Sequence, residues 1–403
     1  MTSPILERLR NKDKKGYYQS TQTGVFYSTG YDTIDYRNST YLKVFDDNDN
    51  IIDQYVCAGI QSGSLNLLAG EPGTGKTTLF VSMAYNIVKP FYSSFVLHFD
   101  IEQTYSMPRI KDITNMPRRD INNKYILIQE KLFLEDIHTR ICEIYKDKIE
   151  NKKELIYDTG LKDETNKPIK VLEPTVIILD TIKAINIGKD NLMEIEGQTS
   201  GQRKALAITQ FMEKVTPMCK EANIILLMIN QVKDKIEMGF SKTKSQFVFM
   251  NSNRDKVLGG GKAARYYAAN VWYLDVCGKY TVEENGFSGT DIKLYLWKTR
   301  SNLAGSFAPM VFNQEKGYDN KMALYKILLE NEKIMGRNPK RYIEGFPDVT
   351  FDDRILYEEM NKKEELYPVI REAALPLLEK WTSSKKLAEI NTEAIDYILS
   401  GGE

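Results

Sequence analysis

The chain has 403 residues, 42% of them hydrophobic and 27% charged, and its 55 basic residues balance its 55 acidic ones. This composition is typical of a globular protein with one large domain or two, and it excludes a protein coated in positive charge, though not a local basic groove. No apolar run reaches the ~20 residues of a membrane span, and four widely spaced cysteines indicate reduced thiols, so we expect a cytoplasmic protein without a membrane partner.

In chain order, residues 1–25 are polar and lysine-rich, which is typical of an N-terminal arm. From about Gly63 to Leu274, apolar runs such as "SLNLLAG", "SFVLHFD", "TVIILD" and "NIILLMIN" alternate with helical stretches. This alternation predicts an α/β fold, with a mostly parallel twisted sheet and helices on both faces. Past residue 335, "GRNPKRYIEGFPD" is typical of a linker or loop, and helical spacing over 355–400 predicts a small, mainly helical C-terminal subdomain.

The stretch "LLAGEPGTGKTTLF" has the glycine and lysine spacing of a P-loop, placed after a strand and at the start of a helix. The glycines let backbone N–H groups turn inward around phosphates at a helix N-terminus. Lys76 can reach the terminal phosphates, and the Thr77 hydroxyl can bind Mg²⁺. We therefore predict a site for ATP and Mg²⁺ formed by Gly70, Glu71, Pro72, Gly73, Thr74, Gly75, Lys76, Thr77 and Thr78.

Polar residues also end three other predicted strands. Asp180 ends "TVIILD", and a carboxylate there, beside the P-loop strand, would bind Mg²⁺; the alternative is a helix-capping aspartate. Glu102 and Asp100 in "FVLHFDIEQ" compete for the role of a carboxylate that polarises the attacking water, and spacing alone does not choose between them. Gln231 in "LLMINQVKDK" could contact a γ-phosphate or be an ordinary turn residue.

The order of these motifs resembles the RecA family of DNA recombinases. The P-loop, Glu102, Asp180 and "INQ" are followed by "GGGKAARYYAANVWYLD" and then by "LYLWKTR". "VFNQEKGYDNKMALYKILLENEKI" resembles the end of the family's core, particularly in UvsX-type phage recombinases. The resemblance covers roughly residues 25–335. It implies a RecA-like P-loop ATPase core at 26–335, between a subunit-docking arm at 1–25 and the C-terminal subdomain at 336–403.

The resemblance also implies roles for single residues. Glu102, rather than Asp100, would be the catalytic carboxylate, and Gln231 would sense the γ-phosphate and couple it to the DNA-binding loops. Lys298 and Arg300 would reach the ATP of a neighbouring subunit, where cations stabilise transition-state charge. Without the resemblance, Lys298 and Arg300 would be interpreted as exposed charges on one side of a strand.

Two DNA-binding loops are expected at about 190–203 and 232–265. The second holds eight basic and three acidic residues with interleaved phenylalanines, which suits phosphates and unstacked bases, and Gly259–Gly261 would be the hinge that returns it to the sheet. A solvated linker is the alternative. The predicted DNA-binding residues are Arg203, Lys233, Lys235, Phe240, Lys242, Lys244, Arg254, Lys256, Gly260, Lys262 and Arg265.

The leading hypothesis is a DNA-dependent ATPase that forms helical filaments on single-stranded DNA and promotes pairing and strand exchange with homologous duplex DNA. ATP would lie at subunit interfaces, and mediator and single-strand-binding proteins are further expected partners. The alternative is a ring-forming replicative helicase of the DnaB type, which shares the "K-x-R" element; "GGGKAARYY", "EIEG" and the absence of a collar domain before the P-loop argue against it. A third hypothesis is an ATP-binding scaffold or switch.

Overall fold

The computed structural model describes residues 25–188, 200–234, 256–258, 263–282 and 287–382. The helices of these residues are α1 (Asp32–Arg37), α2 (Lys76–Val88), α3 (Met107–Thr114), α4 (Asp120–Asn123), α5 (Leu134–Glu150), α6 (Lys152–Leu155), α7 (Ser200–Ala222), α8 (Ala263–Tyr267), α9 (Asn320–Glu330), α10 (Leu356–Lys362) and α11 (Leu366–Glu379). None of these helices is long and apolar enough to cross a membrane.

The strands of the described residues are between 2 and 13 residues long. They are β1 (Phe26–Tyr27), β2 (Thr40–Phe45), β3 (Ile51–Cys57), β4 (Ile60–Gln61), β5 (Leu65–Gly70), β6 (Val96–Asp100), β7 (Tyr125–Ile128), β8 (Ile156–Lys162), β9 (Pro168–Leu172), β10 (Thr175–Asp180), β11 (Ile224–Asp234), β12 (Lys256–Leu258), β13 (Asn270–Val282), β14 (Phe287–Lys298), β15 (Phe307–Asn313), β16 (Gly317–Tyr318), β17 (Ile334–Arg337), β18 (Lys340–Ile343) and β19 (Phe346–Phe351).

A ten-stranded sheet organises the molecule, with nine strands in the order β7-β6-β10-β11-β5-β13-β14-β15-β16 and β12 paired to β11. The first six strands in this order run parallel, and β14, β15 and β16 continue the sheet antiparallel. Strands β5, β6 and β10 are buried along their whole length, because helices cover both faces of the parallel part. The predicted α/β class with a mostly parallel sheet is confirmed.

Two apolar cores lie on opposite faces of this sheet. On one face, Phe80 of α2 packs edge-to-face on Trp272 of β13, with ring centroids 6.2 Å apart. On the other face, Ile137 of α5 and Phe211 of α7 belong to the same cluster as Leu226 of β11. Complete burial of such side chains contributes about 1.5–3 kcal/mol each. The sheet is therefore held rigidly, which fixes the positions of the residues at its edges.

The C-terminal part has its own apolar core, formed by α9, α10, α11 and the antiparallel strands β17, β18 and β19. These strands occupy the region that the sequence suggested was a linker, and Ile343 and Phe351 anchor them because both side chains are buried in this core. Arg371 of α11 also donates to Asp32 of α1, with Nη2 2.8 Å from Oδ1. This contact ties the C-terminal helices to the start of the core.

Candidate nucleotide-binding site

Four parallel strands reach one edge of the sheet, where β5, β6 and β10 end and β11 continues past Gln231 to pair with β12. The register pairs Gln231 of β11 with Gly70 of β5, and Asp180 of β10 with Asp100 of β6. The strand-end residues singled out in the sequence therefore meet at one edge, where α/β sheets bind ligands. One expectation was wrong: Asp180 does not lie on the strand beside the P-loop strand, because β11 lies between β5 and β10.

The P-loop connects β5 to α2 in a conformation that requires glycine. Gly73 and Gly75 have φ angles of 78° and 76°, which side chains with a Cβ rarely adopt. At Gly75 an added Cβ would also lie 2.9 Å from the ring of Phe312. The Thr74 hydroxyl donates to the Glu71 carbonyl at 2.9 Å and closes the loop on itself. The N-terminus of α2 therefore opens onto a compact loop suited to phosphate.

Lys76, the first residue of α2, lies under this loop with only 8% of its surface exposed. Its Nζ donates to the Glu71 carbonyl at 2.6 Å. Burial lowers the pKa of Lys76 to about 8, although the carboxylates of Asp180, Glu102 and Glu71 oppose the shift. A phosphate would add negative charge beside this ammonium and favour its charged form.

Thr77 and Asp180 form the predicted magnesium pair. The Thr77 hydroxyl donates to Asp180 Oδ2 at 2.6 Å. Burial raises the pKa of Asp180 to about 7; Glu102 and Asp100 add to the rise, whereas Thr77 and Lys76 oppose it. These oxygens are the hard donors that Mg²⁺ prefers, so the pair fits the ion. The described residues contain no group of three His, Cys, Asp or Glu side chains suited to a metal, so phosphate oxygens and waters would complete the shell.

Glu102 lies at the centre of a series of hydrogen-bonded side chains that links residues just after β6 and β10 to Gln231 of β11. Its Oε1 accepts a hydrogen bond from the Thr181 hydroxyl at 2.8 Å and another from Gln231 Nε2 at 3.3 Å. Lys183 in turn donates to Gln231 Oε1 at 3.2 Å. The predicted catalytic carboxylate and the predicted γ-phosphate sensor are thus in direct contact. Sequence analysis missed Thr181 and Lys183, although both follow Asp180 in "LDTIKA" and could have been tested as strand-end residues.

Asp100, the other candidate for the catalytic carboxylate, has a different environment. It is fully buried, and its Oδ2 accepts hydrogen bonds from the Tyr105 backbone N–H at 2.9 Å and from Gln129 Nε2 at 2.8 Å. Glu102 is exposed at the same edge. A group that activates water must reach the substrate, so this geometry favours Glu102.

Lys298 and Arg300 lie away from the P-loop of their own chain. Lys298 ends β14, and its Nζ donates to the carbonyls of Arg265, Tyr266 and Ala268 at 2.7–3.0 Å, at the C-terminal end of α8. Burial lowers the pKa of Lys298 to about 8, with Arg300 and Arg265 adding to the decrease. Arg300 follows β14 and is exposed. Within one chain, Lys298 therefore caps a short helix.

The structure describes some of the predicted DNA-binding residues. Arg203 lies half-buried on α7, and Arg265 lies on α8. Lys233 and Lys256, described for their backbone alone, belong to the antiparallel ribbon formed by β11 and β12, in which Val232 pairs with Leu258. Asp234 and Lys256, the described residues on either side of the intervening segment, pair with each other three residues beyond Gln231. The remaining predicted residues lie outside the described ranges: Lys235, Phe240, Lys242, Lys244, Arg254, Gly260 and Lys262.

The sheet order and the P-loop edge define an α/β fold consistent with a RecA-like P-loop ATPase core. Residues 50–245 match the family "DnaB-like helicase C terminal domain". The chain is also similar, at low identity, to proteins of the RecA/RAD51 recombinase family. It is 23% identical to "DNA repair protein RAD51 homolog 2" of Homo sapiens over 192 residues, which are 45% of this chain and 44% of that protein.

Two further relatives carry names of the same kind. The chain is 26% identical over 159 residues to "DNA repair protein RadA" of Campylobacter jejuni, covering 39% of this chain and 34% of that protein. It is 24% identical over 181 residues to "DNA repair and recombination protein RadB" of Methanosphaera stadtmanae, covering 45% of this chain and 65% of that protein. The chain thus spans between about a third and two thirds of the length of these curated relatives.

Proposed function

We propose that the chain is a DNA-dependent ATPase that forms helical filaments on single-stranded DNA and promotes homologous pairing and strand exchange. The observation that carries this proposal is the Gln231–Glu102 contact. Gln231 lies on β11, immediately before the β11–β12 ribbon from which the basic segment departs. A change at the nucleotide edge would therefore be transmitted directly to the DNA-binding segment. The names of the relatives, which refer to DNA repair and recombination, support the same function.

In this proposal the P-loop residues Gly70–Thr78 bind ATP, and Thr77 and Asp180 hold Mg²⁺. When bound, the ion neutralises phosphate charge and acts as a Lewis acid. Lys76 stabilises negative charge on the terminal phosphates from its position at the start of α2. Glu102 orients and polarises the attacking water, while Gln231 responds to the γ-phosphate.

Lys298 and Arg300 act between subunits in this proposal, on the ATP of the neighbour. Lys298 would exchange its carbonyl partners, two on α8 and one at Ala268 just after it, for phosphate oxygens. Because α8 follows the basic segment, this exchange would alter the end of that segment as the filament assembles. Single-stranded DNA and homologous duplex DNA are the proposed partners, and mediator and single-strand-binding proteins would assist assembly. A DNA-binding role for Arg203 and Arg265 belongs to the same proposal.

A ring-forming helicase of the DnaB type is the second candidate. The match of residues 50–245 to the "DnaB-like helicase C terminal domain" family favours it. The RecA-like fold is shared by both kinds of protein, so the match alone does not separate them. The two candidates differ in assembly, because a recombinase filament is open and helical whereas a helicase ring is closed.

Electron microscopy of the protein with single-stranded DNA, Mg²⁺ and a slowly hydrolysed ATP analogue separates the two. Continuous helical filaments that require nucleotide are expected. Under the same conditions the protein should exchange a single strand with a homologous duplex. A non-homologous duplex is the control and should give no exchange. Closed six-fold rings around the DNA, together with ATP-driven duplex unwinding, would establish the helicase instead.

A further inference from the structure

The loop that carries Glu102 is closed onto the end of β6 by two hydrogen bonds to one residue, Asp100. The Asp100 carbonyl accepts a hydrogen bond from the Gln103 N–H at 3.2 Å, and Gln103 has a φ angle of 55°. The Asp100 carboxylate accepts a second bond from the Tyr105 N–H at 2.9 Å. Both contacts follow Glu102 in the chain and tie the loop back to the end of β6, while before Glu102 the Ile101 N–H donates to the Asp180 carbonyl at 2.8 Å. This arrangement fixes the main chain before and after the carboxylate.

Gln129, just after β7, completes this anchor from the neighbouring strand. Its Nε2 lies 2.8 Å from Asp100 Oδ2 and 2.6 Å from the Tyr105 carbonyl oxygen, so one amide group bonds to both partners. Tyr105 also ties the loop to α2, the helix that follows the P-loop, because its hydroxyl lies within hydrogen-bonding distance of the Thr78 hydroxyl. We name Asp100, Tyr105 and Gln129 the loop clamp.

The Asp100 carboxylate depends strongly on these two donors. The residue is fully buried, and its Oδ1 has no hydrogen-bond partner among the described residues. Loss of the Gln129 amide would leave the Tyr105 N–H as the one donor that the described residues give to this carboxylate. A buried carboxylate with too few donors is unfavourable, so the loop would move to recover hydrogen bonds or water. Glu102 would move with it.

We propose that Gln129 is a positioning residue for Glu102, acting through Asp100 and Tyr105. This proposal rests on the proposed role of Glu102 in ATP hydrolysis. Gln129 is exposed, and its two side-chain hydrogen bonds go to Asp100 and Tyr105 rather than to the P-loop. Its loss should therefore alter the chemical step much more than ATP binding.

The first test is the variant Gln129→Leu, which keeps the size of the side chain and removes both hydrogen bonds. We expect kcat for ATP hydrolysis to fall about tenfold or more, since small displacements of a catalytic group have large effects on rate. The affinity for a fluorescent ATP analogue should stay within about threefold, because positioning for chemistry and uniform binding separate in this way. The matched control is Glu130→Gln, at the next residue, whose carboxylate contacts only Arg140 in the described residues.

The second test exchanges the two polar groups. Gln129→Glu alone places two carboxylates against each other and should lower kcat at least as far as Gln129→Leu. In the double variant Asp100→Asn/Gln129→Glu the repulsion between two carboxylates is gone, so kcat should rise above that of Gln129→Glu. It should stay below the wild-type value, because Asp100 Oδ2 also accepts from the Tyr105 N–H and Gln129 also donates to the Tyr105 carbonyl. A general loss of stability would not produce this recovery. Thermal melts of each variant establish that it is folded at the assay temperature.

The outcomes separate this inference from the proposed function. A kcat for Gln129→Leu within twofold of the control, or equal losses of kcat and ATP affinity, would contradict the clamp. Normal turnover by Glu102→Gln would contradict it as well, because the clamp would then position nothing. Turnover that does not respond to DNA would instead contradict the proposed function alone, since kcat and ATP affinity of the clamp variants can be compared without DNA.

Discussion

Two buried lysines lie at opposite edges of the same sheet and have different surroundings. Lys76 is 8% exposed and Lys148 is 5% exposed. Lys148, on α5, donates to the Glu173 carbonyl at 2.6 Å, to the Thr175 hydroxyl at 3.1 Å and to the Asn223 carbonyl at 3.4 Å. The structure gives Lys76 a single acceptor among the described residues, the Glu71 carbonyl of its own loop.

This difference separates a structural ammonium from a functional one. Glu173 and Asn223 lie on the connections that enter β10 and β11, and Thr175 is the first residue of β10, so the lysine ties the starts of these two strands together. Below about pH 7, where Lys148 is charged, its ammonium has three N–H donors, and these match the three acceptors. Lys76 keeps two donors without an acceptor among the described residues, at the N-terminus of α2. Burial of a lysine therefore does not by itself indicate function. The two lysines differ in how many of their N–H donors already have acceptors.

The largest effect is expected for Lys76→Ala. Turnover of ATP should fall about a thousandfold, the upper range for loss of one charge-stabilising group. ATP-dependent tight binding to DNA should be lost with it. Steady-state ATPase assays and DNA-binding titrations measure both, and Lys89→Ala, at the exposed C-terminal end of the same helix, is the matched control. Normal turnover by Lys76→Ala would refute the assignment of this edge to ATP.

The next effect in size is expected for Glu102→Gln. This variant keeps the shape of the side chain and should lower kcat about a hundredfold, in the range for loss of a general base. Binding of ATP and DNA should persist, because the P-loop and the basic segment are unchanged. Single-turnover ATPase assays and nucleotide titrations separate the two effects. If hydrolysis continues at the normal rate, another carboxylate activates the water.

A third prediction concerns the opposite edge. Lys148→Met keeps the apolar stem and removes the ammonium, which leaves buried acceptors without a donor. Stability should fall by about 2 kcal/mol, while ATP turnover of the folded protein stays near the wild-type value. Urea unfolding measures the change, with Lys146→Met, exposed on the same helix, as the control. A loss of ATP turnover without a loss of stability would contradict the structural role assigned to Lys148.

The smallest expected effect is a dependence of stability on pH. Burial lowers the pKa of Lys148 to about 7, from an ordinary value of 10.5. Between these values the unfolded chain binds a proton that the folded protein does not, so this lysine makes folding more favourable as pH rises. The unfolding free energy of the wild type minus that of Lys148→Met should therefore increase between about pH 7 and about pH 9. A constant or shrinking difference would mean that Lys148 stays charged in the folded protein.

Much of the nucleotide edge could be predicted because its residues occupy strand ends. Gly70, Asp180 and Gln231 each follow an apolar run, and a parallel sheet brings such ends to one edge. The neighbour of the P-loop strand could not be predicted, since strand order depends on how the crossovers pack. No sequence pattern around Gln129 predicts its role either. Its role comes from the pairing of β7 with β6, which places its amide beside Asp100.

The strands β17, β18 and β19 show that prediction of the fold from the sequence has the same limit. Their segment contains glycine and proline and was interpreted as a linker. It forms strands because Ile343 and Phe351 pack into the C-terminal core, so tertiary contacts override local preference. The sequence predicts Lys298 as a cation for a neighbouring nucleotide or, without the resemblance, as an exposed charge on a strand. Its cap on α8 depends on β14 lying beside the end of that helix, which spacing along the chain does not encode.

The most direct test of the central claim is ATP turnover by the wild-type protein with and without single-stranded DNA. If the Gln231–Glu102 contact couples the nucleotide edge to the basic segment, DNA should raise kcat several-fold. The variant Gln231→Ala should hydrolyse ATP without responding to DNA. Equal turnover in the presence and absence of DNA, in the wild type as in the variant, would contradict the coupling and favour an ATP-dependent switch that acts without DNA.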